Sequence, residues 1–227
     1  RLAAKEADET PRGVMVQDTA WDGYEEIPSW IMQGYGTMAM EAGEQLKEYG
    51  CERPTHIFVQ AGVGSLAGAV VGYFSNLYAD NPPVFVVVEA EAAACLYKGA
   101  AAGDGDIRIV DGDMETIMAG LACGEPNTIS WDILKNHVKV FIAAPDWVAA
   151  TGMRMLGAPI KGDAPVTSGE SGAAPFGALA AVMSMDEYAD LRKDIGLDEN
   201  SRVLLFSTEG DTDPDRYKNI VWKGLDK

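Results

Sequence analysis

Cysteine is scarce in this sequence: Cys51, Cys95 and Cys123 are the only three among 227 residues. That is too few, and too scattered, for a disulfide framework in a chain of this length. Histidine is scarcer still. His56 and His137 stand apart from any cysteine pair, so no zinc pattern can be written and no metal role is expected. Neither histidine has a nucleophile signature beside it, which leaves no Ser/His/Asp or Cys/His set. Positive charge is short as well, with 18 Lys and Arg against 35 Asp and Glu and a formal net charge of −17. Nucleic acids and anionic membranes need basic surfaces, so both drop out as partners; the acidity reads as a solvated surface. No apolar run approaches the ~18 residues of a membrane span. The start, Arg1-Leu2-Ala3-Ala4-Lys5-Glu6, lacks a signal-peptide core. Free thiols and the missing signal make the cytoplasm the expected compartment.

What the sequence does have is apolar content of 47%, enough to offset the entropy of ordering and build a sizeable core. Its pattern alternates strand and helix. Gly13 to Gln17 reads as a short strand entering a loop, and Pro28 opens a helix with Ile31, Tyr35, Met38, Ala42 and Leu46 at helical spacing, stopping near Gly50. His56–Gln60, Val84–Val88, Val138–Ala143 and Val203–Phe206 read as buried strands, apolar on both faces as a parallel sheet demands. Between them lie helices from about Leu66 to Tyr78, Pro145 to Leu156, Pro175 to Met185 and Asp186 to Ile195, with a last one starting at Asp213-Pro214. Such alternation predicts an α/β sheet covered on both sides. No repeat or linker interrupts it. Arg1 has no initiator methionine before it and looks like part of the polar end of a helix, so a longer parent protein is expected.

Five segments can carry chemistry. Gln60-Ala61-Gly62-Val63-Gly64-Ser65-Leu66-Ala67-Gly68 follows a strand and opens a helix. Glycines there let the backbone approach an anion, and the free N–H groups of the helix N-terminus point at it. A phosphate is the natural guest, although small residues at such a turn also serve packing. The spacing is neither a P-loop nor a dinucleotide fingerprint. Leu205 to Asp213 empties a buried strand into hydroxyls and carboxylates, where α/β proteins bind ligands; a capping loop is the bland alternative. Val16 to Tyr24 sets Asp18 beside apolar and aromatic residues, which suits proton transfer if burial raises its pKa and suits a simple turn otherwise. Met118 to Pro126 and Thr167 to Ala173 are small-residue loops that border either a pocket or a well-packed core.

Taken together, these segments resemble the pyridoxal-phosphate (PLP) dependent family of diaminopropionate ammonia-lyases, within the larger group of threonine and serine dehydratases and the tryptophan synthase β chain. The words that match are Val16 to Trp21, Trp30 to Tyr35, Gln60 to Gly64, Gly112-Asp113-Met114 with Thr116 to Pro126, Ser168 to Ala173, and Ser207 to Asp213, in the family's order. The resemblance implies PLP fold type II, a three-layer α/β fold with a mostly parallel sheet and helices on both faces. Residues 1–24 would be the end of the small lobe and a connecting loop, and 25–227 the C-terminal part of the large PLP-binding domain, most of the N-terminal lobe being absent. Gly62, Val63, Gly64 and Ser65 would cradle the cofactor phosphate. Ser207, or else Thr208, would face the pyridine nitrogen and leave it unprotonated. Asp18 matches the family's base on the α-proton of the D substrate, and Asp22, Met118, Glu170 and Asp211 would line the pocket. The implied reaction is α,β-elimination of the small amino acid 2,3-diaminopropionate to pyruvate and ammonia, in a homodimer.

The sequence departs from the family in one respect: the cofactor lysine belongs to the N-terminal half, and Lys47, Lys98, Lys139 and Lys161 do not sit in its motif. The chain alone is therefore expected to be inactive. The rival readings are another ammonia-lyase of this fold, for D-serine, L-serine or L-threonine, and a catalytically silent fragment. The word Gln17-Asp18-Thr19-Ala20-Trp21 favours diaminopropionate.

Overall fold

The computed structural model describes residues 2–225. Arg1, which the sequence puts at the polar end of a helix, and residues 226–227 lie outside the described residues. In chain order the helices are α1 (Leu2–Glu9), α2 (Glu26–Glu48), α3 (Ser65–Leu77), α4 (Cys95–Ala102), α5 (Thr128–His137), α6 (Asp146–Gly157), α7 (Glu170–Ser184), α8 (Ala189–Ile195) and α9 (Pro214–Lys223). The strands are β1 (His56–Gln60), β2 (Val84–Ala90), β3 (Val138–Ala144) and β4 (Val203–Leu205). They form a four-stranded sheet in the order β3-β2-β1-β4, and every pair is parallel.

Alternation along the strands builds the layers, because successive side chains leave a strand on opposite faces. Ile57, Val59, Phe85 and Val87 enter one core with Ala39 of α2, Phe74 of α3, Leu96 of α4 and Leu134 of α5. Phe58, Val86, Val88 and Ala144 enter the other with Met153 of α6, Ala178 of α7, Ile195 of α8 and Ile220 of α9. Both faces are buried, so β1 and β2 read as unbroken apolar runs. The three layers expected from the sequence are present. Helices α6 and α7 cross backbone to backbone: a Cβ on Gly177 would fall 1.9 Å from the Val148 carbonyl oxygen. Any side chain there would force the pair apart, at a cost of about 1–3 kcal/mol or more.

Several elements differ from the sequence reading. Gly13 to Gln17 forms no strand, with Val14 and Val16 well exposed; a lone strand has no ladder to satisfy its backbone. Tyr24 pins this stretch instead, donating its hydroxyl to the Met15 carbonyl at 2.9 Å and stacking on Trp21. Helix α7 starts at Glu170, five residues before the expected Pro175; at its sixth position proline forfeits only the bond to the Ser171 carbonyl. The segment after Met185 begins as a single 3-10 turn, Asp186–Tyr188, before α8. The sequence reading missed α4 and α5. Among the described residues no helix is long and apolar enough to cross a membrane.

Candidate active site

The sheet order fixes where a ligand can sit. From β1 the chain winds outward through β2 to β3, then returns to place β4 on the other side of β1. The carboxyl ends of β1 and β4 thus diverge at a topological switch point, the usual crevice for ligands in open α/β sheets. Gln60, the last residue of β1, ties the two ends together. Its Nε2 donates to the Phe206 carbonyl at 3.0 Å and to Thr208 Oγ1 at 2.8 Å. His56, at the opposite end of β1, is a packing residue: Nε2 lies 2.9 Å from the Ile195 carbonyl and must donate, so Nδ1 accepts from Thr55 Oγ1 at 2.8 Å. His137 is exposed at the end of α5.

A cavity of about 370 Å³ opens at the switch point, with Asp18, Gly62, Gly64, Ser65, Cys123, Ser171, Thr208 and Glu209 among its lining residues. Its floor is the β1–α3 turn. The carbonyls of this turn face inward, where Gly62 O meets the Cys95 thiol, Val63 O accepts from Asn127 N at 2.8 Å and Gly64 O from Gly68 N at 2.7 Å. The N–H groups of Gly62, Val63 and Gly64 donate to no acceptor among the described residues, and those of the first turn of α3 have no intrahelical partner. No side chain caps α3. Gly64 is at φ +103°, and a Cβ on it would lie 2.7 Å from Ser130 Oγ, so only glycine fits.

Asp18 lines the same cavity, held by its main chain. Its carbonyl accepts from Ser65 Oγ at 2.7 Å and from Asn127 Nδ2. Beside it, Thr128 donates through N and Oγ1 to the Ala20 carbonyl at 3.3 and 3.2 Å. Its carboxylate influences two neighbours in the cavity wall. Burial, and then the Asp18 charge, push the Tyr35 hydroxyl and the Cys123 thiol above their ordinary values.

On the far wall the two hydroxyls after β4 separate. Thr208 lines the cavity, whereas Ser207 Oγ lies 2.8 Å from the buried Ser168 Oγ and does not. Glu209 reaches the N-terminus of α7, where its Oε2 accepts from Ser171 N at 2.7 Å and Gly172 N at 3.4 Å. The four remaining candidates lie outside the lining. Met118 is fully buried in the α6–α7 core while Gly120 and Leu121 take its place on the cavity wall. Glu170 turns to Arg216, 3.3 Å away, and Ser171 lines the cavity instead; burial raises the pKa of Glu170. Asp22 and Asp211 are exposed, and Glu209 stands where Asp211 was expected. For Met118, Glu170 and Asp211 a residue one to three positions away lines the cavity, because sequence words mark a loop but not the direction of each side chain.

Asn127 is the residue that sequence reasoning missed. It is fully buried, and its Oδ1 caps α5 by accepting from Ser130 N at 2.9 Å. The signal was an Asn immediately before Thr128-Ile129-Ser130, a helix start of the usual kind. Behind the floor lies Glu89, at 1% exposure. Its two oxygens accept from Leu96 N at 2.8 Å and Tyr97 N at 2.7 Å, filling the N-terminus of α4. Burial outweighs these bonds and pushes the Glu89 carboxyl up to about 7. Burial and the Glu89 charge push the Cys95 thiol up to about 12. All three cysteines are free. Among the described residues no lysine lines the cavity, and Lys47, Lys98, Lys139 and Lys161 are exposed.

Residues 1–209 match the family described as pyridoxal-phosphate dependent enzyme. The chain is 54% identical over 225 residues to a diaminopropionate ammonia-lyase of Salmonella typhimurium, covering 99% of this chain and 55% of that protein. The fold superposes with a TM-score of 0.90 on the Escherichia coli diaminopropionate ammonia-lyase determined with an aminoacrylate-PLP azomethine reaction intermediate, at 46% identity over 99% of this chain and 56% of that one. A serine racemase from maize shares the fold at a TM-score of 0.64 and 22% identity, over 86% of this chain and 54% of its own. The chain spans about half the length of the curated relatives it matches.

Proposed function

Because the chain belongs to the pyridoxal-phosphate dependent enzyme family, in its fold type II architecture, we propose that it is the cofactor-binding part of an ammonia-lyase that eliminates ammonia from 2,3-diaminopropionate to leave pyruvate. The observation that carries this reading is the cradle of unpartnered N–H groups at Gly62, Val63 and Gly64, facing Asp18 across one cavity. The residues present fit the cofactor. A dianionic phosphate satisfies the free N–H groups and the positive end of α3, and Gly64 leaves the room that a Cβ would fill.

When bound, pyridoxal phosphate supplies the electron sink beside the substrate α-carbon. The chain's residues do the rest. Gly62, Val63, Gly64 and Ser65 hold the phosphate through their N–H groups. Of the two hydroxyls weighed from sequence, Thr208 is the one for the ring nitrogen. Its oxygen already accepts from Gln60 Nε2, so its own proton is free to donate and the nitrogen stays unprotonated. Such a ring is a weaker sink, adequate for elimination. Asp18 takes the α-proton of the D isomer, and Tyr35 and Cys123 beside it keep the wall of the cavity closely packed.

The rest of the assignment follows the same resemblance. Residues 1–24 belong to the end of the small lobe and the connecting loop, and 25–227 to the large domain. The lysine that bonds the cofactor is placed outside these 227 residues, in keeping with the absence of any lysine from the described cavity lining. The protein works as a homodimer in the cytoplasm, a compartment that suits its three free thiols. The test is pyruvate release from each enantiomer of 2,3-diaminopropionate, with this chain plus PLP and with the whole protein. Release by the whole protein alone is expected. Turnover of serine or threonine in place of diaminopropionate by the whole protein would sink the substrate assignment.

A further inference from the structure

The start of α5 does more than begin a helix. Asn127 is fully buried, and every hydrogen-bonding group it has is engaged. Its Oδ1 caps α5 through Ser130 N, its main-chain N–H holds the Val63 carbonyl of the cofactor turn, and its Nδ2 donates both to the Asp18 carbonyl and to Ser65 Oγ at 2.9 Å. Ser65 Oγ in turn donates to the same Asp18 carbonyl. Thr128, the next residue, holds Ala20. Apart from the buried Ala20 side chain, the segment carrying Asp18 has few other ties to the body of the domain. Val14 and Val16 are exposed, and the bonds of Tyr24 and Trp21 stay within residues 15–24.

We propose that Asn127 is a positioning residue that, with Ser65 beside it, locks the Asp18 segment to the phosphate turn, so that a buried amide helps to set the distance between base and cofactor. The proposal rests on the reading of Asp18 as the base for the D isomer. Two rigid supports meet at Asn127: the turn after β1, which fixes the cofactor, and the N-terminus of α5. These donors, with Thr128 on Ala20, tie the stretch to the wall of the site. Loss of Nδ2 therefore loosens the Asp18 backbone, which keeps the Ser65 bond, while leaving the turn and the helix in place. The base for the L isomer does not depend on this stretch, so the consequence is specific to one enantiomer.

Asn127→Asp, assayed at a pH high enough to ionise the buried carboxyl, separates the lock from the cap, because the carboxylate still accepts from Ser130 N but cannot donate to Asp18. The experiment uses the whole protein loaded with PLP, and the variants N127D, S65A and D18N. The rate on the D isomer is expected to fall on the order of 10- to 100-fold in N127D, with far less change on the L isomer. S65A moves the same ratio by less. Hydrogen exchange of N127D should quicken across residues 17–24 and stay unchanged across residues 129–137. If D18N lowers the D-to-L ratio but N127D lowers both rates equally, or neither, the proposal is overturned. It is likewise overturned if exchange rises as much in α5 as in residues 17–24, since Asn127 would then be a helix cap alone. A D18N variant with an unchanged ratio removes the base assignment itself, and the proposal with it, which separates that failure from the others.

Discussion

The turns after β1 and β2 begin alike and end as opposites. Each leaves the carboxyl end of a central parallel strand and enters a helix, yet the N-terminus of α4 is filled by Glu89 from β2, while that of α3 has no side-chain cap. Helix α7 follows α4: Glu209, from the loop after β4, takes its first N–H groups. Helix N-termini favour anions in general. The protein supplies its own carboxylate to α4 and α7 and none to α3, which leaves the end of α3 in the cavity open to the phosphate of the proposed cofactor. The comparison also shows why Glu209 can line the cavity without competing for the proposed phosphate: its carboxylate is committed to α7.

The largest expected effect comes from closing the open turn. Gly64→Val meets both an unfavourable φ and the Ser130 hydroxyl, which should cost about 2–4 kcal/mol of stability and abolish tight PLP binding, read by denaturation and by fluorescence titration. Next is Glu89. Its folded carboxyl is raised from an ordinary 4.5 to about 7, so its contribution to stability is full below about 4.5 and is lost as the pH rises through 7. The wild type should lose up to about 3 kcal/mol over that window. Glu89→Gln should flatten the pH profile of thermal unfolding; an unchanged slope would assign it to other groups. Glu209→Ala should cost about 1–2 kcal/mol by uncapping α7, and inorganic phosphate should restore part of the melting temperature lost. Smallest is Ser65→Ala, at about 1 kcal/mol, seen in the same melting experiment.

Much of this arrangement is legible in the sequence because burial on both faces leaves a plain mark. Val84 to Val88 and His56 to Gln60 could hardly be anything but inner strands, and the glycines after Gln60 announce a close backbone approach. The losses have physical causes. Helix α5 opens with Thr128, Ile129, Ser130 and Trp131, residues whose branched or bulky side chains weaken a helical signal, so its Asn127 cap passed unread. Helix α4 is eight residues long and rich in Ala and Gly, too short for a clear period. Gly13 to Gln17 alternates like a strand, but alternation does not supply a partner. Gly62 to Ser65, Asp18 and Thr208, proposed from sequence, line one cavity where loops meet the sheet. Met118, Glu170 and Asp211 stand outside that lining, a matter of side-chain direction that only the packed structure decides.

The latch from Gln60 to Thr208 joins positions 148 residues apart in the chain. Nearly all of that intervening chain has to be synthesised before β4 can dock beside β1, roughly 10–30 s at ordinary translation rates. Until then the phosphate turn exists without its opposite wall. A cofactor held there as proposed would find both walls of its cavity only late in the birth of this domain, and a nascent chain stalled before Val203 would expose the turn on one side.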